Sequence, residues 1–531
     1  MVLIVSMASC SDPTSLPPDG GRDLSADRMA DDGALADTLP DTVTDSGPPP
    51  ALASCGRGSV YYLSPSGDDA QDGRSAGAPF RTFARAFAVM AAGDELDLLE
   101  GTYSEAAGTG TIHWMGANSA QIPSGASADR PTCVVAASPG RVRIEGGLFV
   151  GRSTRKDSYI VIAGITFEGS STLYNTGFVT VKNCGFHDTQ NTSASVFGIG
   201  TNDHTMGNED DLIEDCWVWG RNRIMAINYR SSRNVWRRVV VRGDGCDGPD
   251  CLGSGNPNVG ISVYDSSEIT LENVIVVDRV LDGGSPYADF AVAQHTPGAP
   301  FGQNRWLGTM SLGAPDIGYY FEPDEVSLSP AHYLENCVAW GAPSGGINLA
   351  RMGTSSVKNC TVAVFGVGDG VRVAPELSAS ETTVTNVVVL GTGRFGINSS
   401  TVPQYVNVSG TWESNYNQTS CATGCSTVDP LGGATAALLY PTRIERGSAL
   451  AGAGEGGADI GANVVYRYGV DGTRHGETGF DTLTTTPLWP WPNEERIVAE
   501  MCATETRGLC SASSFTRYIW EYLGHPAPAE L

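Results

Sequence analysis

Val181-Lys182-Asn183-Cys184 is one copy of a four-residue pattern that occurs eight times along the chain. Each copy has an apolar residue, a variable residue, a turn-type residue (Arg in one copy) and then Cys or an aliphatic residue. The other seven copies are Ile162-Ala163-Gly164-Ile165, Ile213-Glu214-Asp215-Cys216, Trp236-Arg237-Arg238-Val239, Leu271-Glu272-Asn273-Val274, Leu334-Glu335-Asn336-Cys337, Val357-Lys358-Asn359-Cys360 and Val384-Thr385-Asn386-Val387. A short unit that recurs with insertions of variable length is typical of a stacked repeat.

The residues around the pattern identify the type of repeat. Tyr159-Ile160-Val161-Ile162 and Val274-Ile275-Val276-Val277 are β-branched runs broken by Gly, Asn and Asp, which indicates strands and turns rather than helices. A unit of about 22 residues cannot bury its apolar face alone, so the units must stack. We therefore predict an all-β chain that folds as a right-handed parallel β-helix.

Stacking assigns the pattern residues to the scaffold. Equivalent positions on successive rungs lie about 4.8 Å apart, so the Asn and Asp residues line one internal turn and bond to backbone or to the next rung. The Cys that ends four copies points inward as a small apolar residue. The four residues are Cys184, Cys216, Cys337 and Cys360. They are either stacked thiols or disulfides between rungs.

Other cysteines are candidates for disulfides in an exported protein. Three pairs are close in sequence, and Cys55 and Cys133 are candidates to pair across the N-terminal cap. The close pairs are Cys246/Cys251, Cys421/Cys425 and Cys502/Cys510. No pair has the spacing of a zinc site.

The first 53 residues indicate export and a tether. Met7-Ala8-Ser9-Cys10 resembles a bacterial lipobox, which predicts lipidation of Cys10, and an ordinary signal peptide is the alternative. Residues 11–53 have no aromatic residue and many Asp and Pro, which predicts a disordered tether. We expect residues 54–465 to form the β-helix with its cap and residues 466–531 to close it.

The charge of the chain argues against a nucleic-acid partner, because its net value is −26 over 531 residues. Outside the N-terminal signal, no stretch of the sequence is long and apolar enough to span a membrane. We therefore expect a monomeric surface lipoprotein of the bacterial outer membrane, which meets the membrane only through Cys10.

The segment after the tether resembles a known family. A strand at Val60-Tyr61-Tyr62-Leu63 is followed by the helix start Pro79-Phe80-Arg81-Thr82 and the exit turn Gly101-Thr102-Tyr103. In this order the segments resemble the N-terminal cap of secreted bacterial parallel β-helix proteins of the pectate-lyase-like superfamily. The resemblance implies a short capping helix over the open end of the solenoid and a tendency to act on or bind acidic polysaccharides.

The lyase subfamily whose cap is most similar to this one uses a calcium site of several Asp with a catalytic Lys, and the chain departs from that pattern. Lys182 and Lys358 lie at the variable position of scaffold copies, and Lys156 precedes the first copy. No Lys lies beside an Asp cluster, so no catalytic residue is carried over from the family. Asp68, Asp69 and Asp72 form a weak calcium pattern that turn formation and helix capping explain more simply.

Seven arginines lie between residues 221 and 242 in this acidic chain. Arg binds carboxylate in a bidentate manner, which suits an anionic glycan. The alternative is pairing with acidic residues of neighbouring rungs, such as Glu209, Asp210, Asp211 and Glu214. From this stripe we select Arg237 and Arg242 as candidate catalytic residues and Arg221, Arg223 and Arg238 as candidate substrate-binding residues.

Two loop regions supply the remaining candidates, because long loops at one rim of a β-helix build grooves. Asp278 and His295 are candidate catalytic residues, with His295 as a general base. Trp306, Tyr319 and Tyr320 are candidates to stack on sugars, although packing in the core is the alternative. Asp244, Asp247 and Asp250 are candidate ligands of a Ca²⁺ ion, the one cofactor that the sequence suggests.

Two functions remain open. The chain is either an enzyme on acidic polysaccharide, a lyase rather than a hydrolase, or a non-catalytic surface protein that binds glycan with the same face. The copy Trp236-Arg237-Arg238-Val239, where Arg replaces the turn residue, is where the sequence places the site.

Overall fold

The structure is a computed structural model that describes most of the chain after the tether. The described residues are 55, 58–201, 207–249, 251, 257–280, 285–296, 299, 301–323, 331–350, 354–373, 382–391, 393–433 and 435–531. Cys10 and the predicted tether lie outside them. Residues 54–529 belong to one compact unit.

Two parallel ladders of strands run along the molecule and meet at the repeated turn. The first ladder contains Val60–Leu63, Glu95–Leu98, Thr132–Ala136, Ile160–Ala163, Thr180–Lys182, Leu212–Glu214, Val235–Arg237, Thr270–Glu272, Asn304–Leu307, His332–Glu335 and Ser355–Lys358. The second contains Gly101–Tyr103, Val142–Glu145, Thr166–Glu168, Gly185–Asp188, Trp217–Gly220, Val240–Gly243, Ile275–Val277, Met310–Leu312, Val338–Trp340 and Thr361–Ala363. Thr383–Leu390 and Gln404–Ser409 run through both ladders.

A third sheet closes the rungs, and its strands also pair in parallel. It contains Phe149–Val150, Ser171–Leu173, Ser195–Gly200, Ile224–Tyr229, Pro257–Tyr264, Ser285–Gln294, Ile317–Pro323, Gly345–Leu349, Asp369–Val373, Phe395–Ser399 and Ser414–Asn417. A short fourth sheet contains Asp157–Ser158, Thr176–Gly177, Asn208–Glu209 and Ser231–Ser232. The predicted parallel β-helix is confirmed.

The repeated turn has the same backbone in all eight copies. Its turn residue has a positive φ each time, at 54° in Asn183 and 52° in Arg238. Asn and Gly tolerate this left-handed conformation, which explains their frequency at the position. The long interval between the copies at 271 and 334 holds one degenerate rung, in which Gly308 takes the turn position with a φ of 64°.

The core lies inside the three sheets. Alternate residues of each strand point inward, and aromatic rings stack along the axis, as Phe186 does on Phe197 at 4.0 Å between centroids. Cys184, Cys216, Cys337 and Cys360 are buried free thiols. The four predicted disulfides are present, and they join Cys55 to Cys133, Cys246 to Cys251, Cys421 to Cys425, and Cys502 to Cys510.

A helix covers the N-terminal end of the solenoid. The helix Phe83–Val89 begins after Thr82, whose hydroxyl accepts the backbone N–H of Arg85 at 3.0 Å. Asp69 in turn accepts the Thr82 hydroxyl at 2.8 Å. Asp68 and Asp72 each accept a backbone N–H two residues on. These carboxylates thus form turns and the helix cap, as the simpler explanation predicted.

The last solenoid strand ends at Asn417, before the predicted boundary at 465. Residues 436–531, named here the C-terminal segment, pack their apolar side chains on the outer side of the second ladder. The elements of this segment are the strands Tyr466–Tyr468 and Leu483–Pro487, the α-helices Glu494–Met501 and Phe515–Trp520, and the short 3-10 helices Glu455–Gly457, Gly508–Ser511 and Glu521–Leu523. None of the described helices is long and apolar enough to cross a membrane.

The repeated turn also anchors the C-terminal segment. Asn386 bonds to Asn359 on the neighbouring rung at 2.9 Å, as stacking predicted. Asn336 instead donates to the Tyr468 hydroxyl at 2.7 Å, and Asn273 accepts the backbone N–H of Tyr468, also at 2.7 Å. The turn row therefore also binds the part of the chain that closes the solenoid.

Candidate functional site

The outer face of the third sheet is separate from the ladder face that the C-terminal segment covers. Side chains alternate along each strand, so Ala226 and Asn228 point into the core while Ile227 and Tyr229 point outward. Parallel pairing places Tyr229 beside Tyr264. Candidate binding residues on this face can therefore be read from strand position.

Three rings form a row on this face. The Tyr229 and Tyr264 ring centroids lie 4.8 Å apart, and those of Tyr264 and His295 lie 5.1 Å apart. All three side chains are partly exposed. We call Tyr229, Tyr264 and His295 the aromatic row. Because the rings pack face against face, the row presents their edges, with apolar C–H groups and the polar atoms of Tyr and His, which suits the C–H groups and hydroxyls of sugars.

Asp265 fixes one end of the aromatic row. Its carboxylate is buried and accepts the backbone N–H of His295 at 2.8 Å and that of Thr296 at 3.1 Å. Arg230 places its guanidinium 4.9 Å from the centre of the Tyr229 ring and donates to Asp265 at 3.4 Å. The row is therefore held by a hydrogen-bonded turn at the end of the strands.

Arg223 lies at the other end of the strand Ile224–Tyr229, just before its first residue. Burial lowers the pKa of its guanidinium, and its interaction with Tyr264 and Tyr229 opposes that shift. The Nε of Arg223 has no hydrogen-bond partner, nor has either polar side-chain atom of Asn258. Arg223 and Asn258 line a small hollow together with Gly243 and Arg279. The hollow thus offers unpaired polar groups at the end of the strand opposite the aromatic row.

Arg237 and Arg238, two candidates from the arginine stripe, belong to the scaffold. Arg237 is fully buried and donates to Glu272 at 2.5 Å and to Glu214 at 3.1 Å. Arg238 is fully buried and pairs with Asp215 at 2.5 Å. Both arginines are covered by the C-terminal segment, because Arg237 also donates to the carbonyl of Val470 and Arg238 to Asp471. The placement corrects the catalytic and substrate-binding roles we predicted for them.

Arg242, Asp244 and Asp278 do come together, but they bind the C-terminal segment. Arg242 forms two hydrogen bonds with Asp244, at 2.8 and 2.9 Å. Arg507 donates to Asp244 at 2.6 Å. Asp278 accepts the backbone N–H of Leu509 at 2.6 Å and the hydroxyl of Tyr518. These predicted catalytic side chains therefore stabilise the contact between the solenoid and the segment, while His295 follows a strand of the third sheet.

The three predicted sugar-stacking residues divide by the direction of their side chains. Trp306 and Tyr319 are buried, with their rings 4.5 Å from Phe321 and 4.6 Å from Phe290, respectively. Both belong to the core, which corrects their predicted role. Tyr320 points outward on the third sheet, where it packs on a small apolar cluster.

The predicted calcium residues are engaged with arginine. Asp247 accepts Arg221 at 2.9 Å and Asn191 at 2.6 Å. These two donors lower the pKa of Asp247. Asp244 is paired as described above, and Asp250 lies outside the described residues. Within the described part of the chain, no group of three or more His, Cys, Asp or Glu side chains is arranged to hold a metal ion.

Sequence reasoning found Arg223, His295 and Tyr320 on the outer face but missed Tyr229, Tyr264 and Asn258. A signal was present, since Ile227-Asn228-Tyr229-Arg230 and Ser262-Val263-Tyr264-Asp265 both end a strand with Tyr before a charged turn residue. The two tyrosines are also in register on adjacent strands. The prediction instead followed the four-residue pattern and therefore selected residues of the first ladder, which the C-terminal segment covers.

Comparison with known proteins found one matching family model and several solved structures of similar architecture. A family model described as "Protein of unknown function (DUF1565)" matches residues 65–110, the region of the N-terminal cap. The search of curated proteins found no match to this chain. Two solved structures that the chain resembles are pectate lyase Pel9A and XylC in complex with xylose. They share 16% and 10% identity with it, with TM-scores of 0.45 and 0.48.

These alignments extend over most of each chain. The alignment with Pel9A covers 76% of this chain and 96% of that one, and the alignment with XylC covers 70% and 86%. The A-module of the Azotobacter vinelandii mannuronan C-5 epimerase AlgE6 aligns at 10% identity over 65% of this chain and 93% of its own, with a TM-score of 0.42. The likeness concerns architecture alone.

Proposed function

We propose that this protein binds an acidic polysaccharide along the outer face of the third sheet. The observation that supports the proposal is that one strand, Ile224–Tyr229, has the aromatic row at one end and Arg223 at the other. The exposed edges of the packed rings contribute apolar contact area and polar atoms to a sugar. A guanidinium with an unpaired Nε supplies a charged donor for a carboxylate.

The sign of the ligand's charge follows from the local charge of the protein. Arg223 forms no ion pair with a carboxylate among the described residues, although the chain carries a net charge of −26. A partly desolvated guanidinium without an internal anion is stabilised by an external one. A uronate ligand satisfies Arg223 with its carboxylate, and its hydroxyls can donate to and accept from the side chain of Asn258.

We further propose that the protein acts at the cell surface, held by a lipid on Cys10. The lipobox-like sequence at Met7-Ala8-Ser9-Cys10 supports this proposal. The four disulfides of the folded body are compatible with an oxidising compartment. Radiolabelled palmitate that enters the wild-type protein but not a Cys10→Ala variant tests the anchor.

Uronate lysis at the same face is a second candidate function. The observation in its favour is His295, a partly exposed imidazole in the aromatic row, since a lyase needs a base to remove the proton next to the uronate carboxylate. Absorbance from new unsaturated ends, followed during incubation with uronate polymers, distinguishes lysis from binding alone. A His295→Gln variant that keeps binding and loses absorbance assigns the base.

The binding proposal is tested with the full-length protein and a panel of polymers at two salt concentrations. Polygalacturonate and alginate are the acidic members, and dextran is the neutral one. We expect acidic polymers to bind and the affinity to fall as salt rises, because the contact is partly exposed. Binding to dextran with equal affinity, or to no polymer, contradicts the proposal. Repeating the panel with a chelator tests the predicted Ca²⁺ requirement.

A further inference from the structure

A second cleft lies on the third sheet, closer to its C-terminal end. Its volume is about 160 Å³, and its lining includes Ser344, Asn348, Val367, Asp369, Arg372 and Arg394. We call it the terminal cleft. Four strand steps separate the strand of Tyr264 from that of Arg372, a distance of about 19 Å at the usual strand spacing. The terminal cleft is therefore distinct from the aromatic row.

The wall of the terminal cleft contains two acceptor oxygens without donors. The Oδ1 atoms of Asn348 and Asp369 are buried and have no hydrogen-bond partner. Asp369 is only 8% exposed, and its other carboxylate oxygen accepts Asn398 at 2.7 Å, which fixes the orientation of the group. A buried acceptor without a donor is costly. These two oxygens suit a ligand that supplies hydroxyl donors.

Two guanidinium groups line the same cleft. Arg372 is exposed and forms no ion pair with a carboxylate in the described part of the chain. Arg394 is also exposed, and its nearest carboxylate oxygen, on Glu413, is 4.0 Å away, which is too far for a hydrogen bond. Both cations are therefore available to an anionic ligand.

The rim of the terminal cleft is apolar. Val367 is 69% exposed and lines the cleft, and Phe365, two residues earlier in the same connection, is 54% exposed. Exposed apolar side chains beside a few convergent polar groups are typical of ligand sites. Such a rim suits the C–H face of a sugar ring.

We infer that the terminal cleft is a second binding site, which takes a carboxylate-bearing sugar or a related polyhydroxy acid. The ligand carboxylate lies between Arg372 and Arg394, and the hydroxyls donate to Asn348 and Asp369. The inference goes beyond the proposed function, because it uses none of the residues of the aromatic row. It predicts that a short acidic ligand, unable to span the two places, binds twice to one chain.

Calorimetric titration of the full-length protein with a uronate trisaccharide measures the stoichiometry. We expect two ligands per wild-type chain and one for Arg372→Gln, with unchanged thermal stability because Arg372 is exposed. Arg223→Gln also lowers the number to one, through the other site. Arg141→Gln, which changes an exposed arginine elsewhere, keeps two and is the matched control. A neutral trisaccharide does not reproduce the Arg372-dependent site.

Competition with gluconate distinguishes the two sources of the ligand. Displacement from the Arg372-dependent site assigns it to free polyhydroxy acids, and retention of the trisaccharide assigns it to a sugar unit of a polymer. Either result supports the site. A stoichiometry that Arg372→Gln and Arg394→Gln both leave unchanged overturns the inference. A wild-type chain that binds one ligand, at the Arg372-dependent site and not at an Arg223-dependent one, contradicts the proposed function. That result leaves the inference about the terminal cleft intact.

Discussion

Arg237 and Glu272 form a buried ion pair at 2.5 Å, on neighbouring rungs of the first ladder. Both side chains have no exposed surface, and the C-terminal segment lies over them through the carbonyls of Val470 and Phe480. The pair thus joins the solenoid to a segment more than two hundred residues away. Its role is to stabilise the fold.

Replacement of Arg237 by Ala is expected to lower the free energy of unfolding by about 3–5 kcal/mol, because Glu214 and Glu272 lose their buried partner. Denaturant titration measures the change. Arg143→Ala, in an exposed pair with Glu168, is the control, with an expected loss of about 1 kcal/mol or less. An Arg237→Ala protein of native stability that fails to bind polysaccharide contradicts the structural role and restores the predicted functional one.

Asp211 makes stability fall as pH rises. Burial raises the pKa of this carboxyl to about 7, from 3.8, although Thr176 and the backbone of Val179 donate to it. Between these pH values the folded state holds a proton that the unfolded state has released, so stability decreases upward through the window. Asp211→Asn removes this contribution to the pH dependence of stability. Its stability relative to wild type is expected to improve by up to about 4 kcal/mol between pH 4 and pH 8.

Unfolding curves of both proteins at several pH values measure this difference. Asp247→Asn, which changes a carboxylate in an exposed loop, serves as the control. A stability difference between Asp211→Asn and wild type that is constant from pH 4 to pH 8 contradicts the account of Asp211.

His332 acts in the opposite direction. Complete burial lowers its pKa to about 3, from 6.5, and its Nε2 has no hydrogen-bond partner in the core. Below pH 6.5 the unfolded state binds a proton that the folded state does not, so stability is lost as pH falls. We expect His332→Leu to gain about 3 kcal/mol relative to wild type between pH 7 and pH 4. Thermal unfolding across that range measures the gain, and parallel curves for the two proteins would falsify the assignment.

Much of the fold was predictable, because it depends on local patterns. The copies such as Val181-Lys182-Asn183-Cys184 gave the strands, the left-handed turn and the inward Cys. The Thr82 helix start and the close cysteine pairs were equally local. The coverage of the first and second ladders was not predictable, because the partners of Arg237 include Val470 and no sequence pattern links the two.

The candidate site was only partly predictable for a related reason. Tyr319 and Tyr320 are adjacent, and one points into the core while the other points outward. Side chains alternate along a strand, so these two must point to opposite faces of the sheet. The sequence alone does not say which of them points inward until the strand register is known. Arg223 was selected together with the rest of the arginine stripe. It differs from Arg237 and Arg238 because it lies beside a strand of the third sheet, whereas they lie in the first ladder and its turn.

The affinity of the full-length protein for polygalacturonate, compared among Arg223→Gln, Tyr264→Ala and Arg141→Gln, tests the central claim most directly. The account predicts a loss of roughly five- to thirtyfold for each of the first two, since a ring contact or a charge-assisted hydrogen bond contributes about 1–2 kcal/mol. Arg141→Gln, exposed and away from the third sheet, is expected to bind as the wild type does. Unchanged affinity in both Arg223→Gln and Tyr264→Ala would contradict the claim that the outer face of the third sheet binds the polysaccharide.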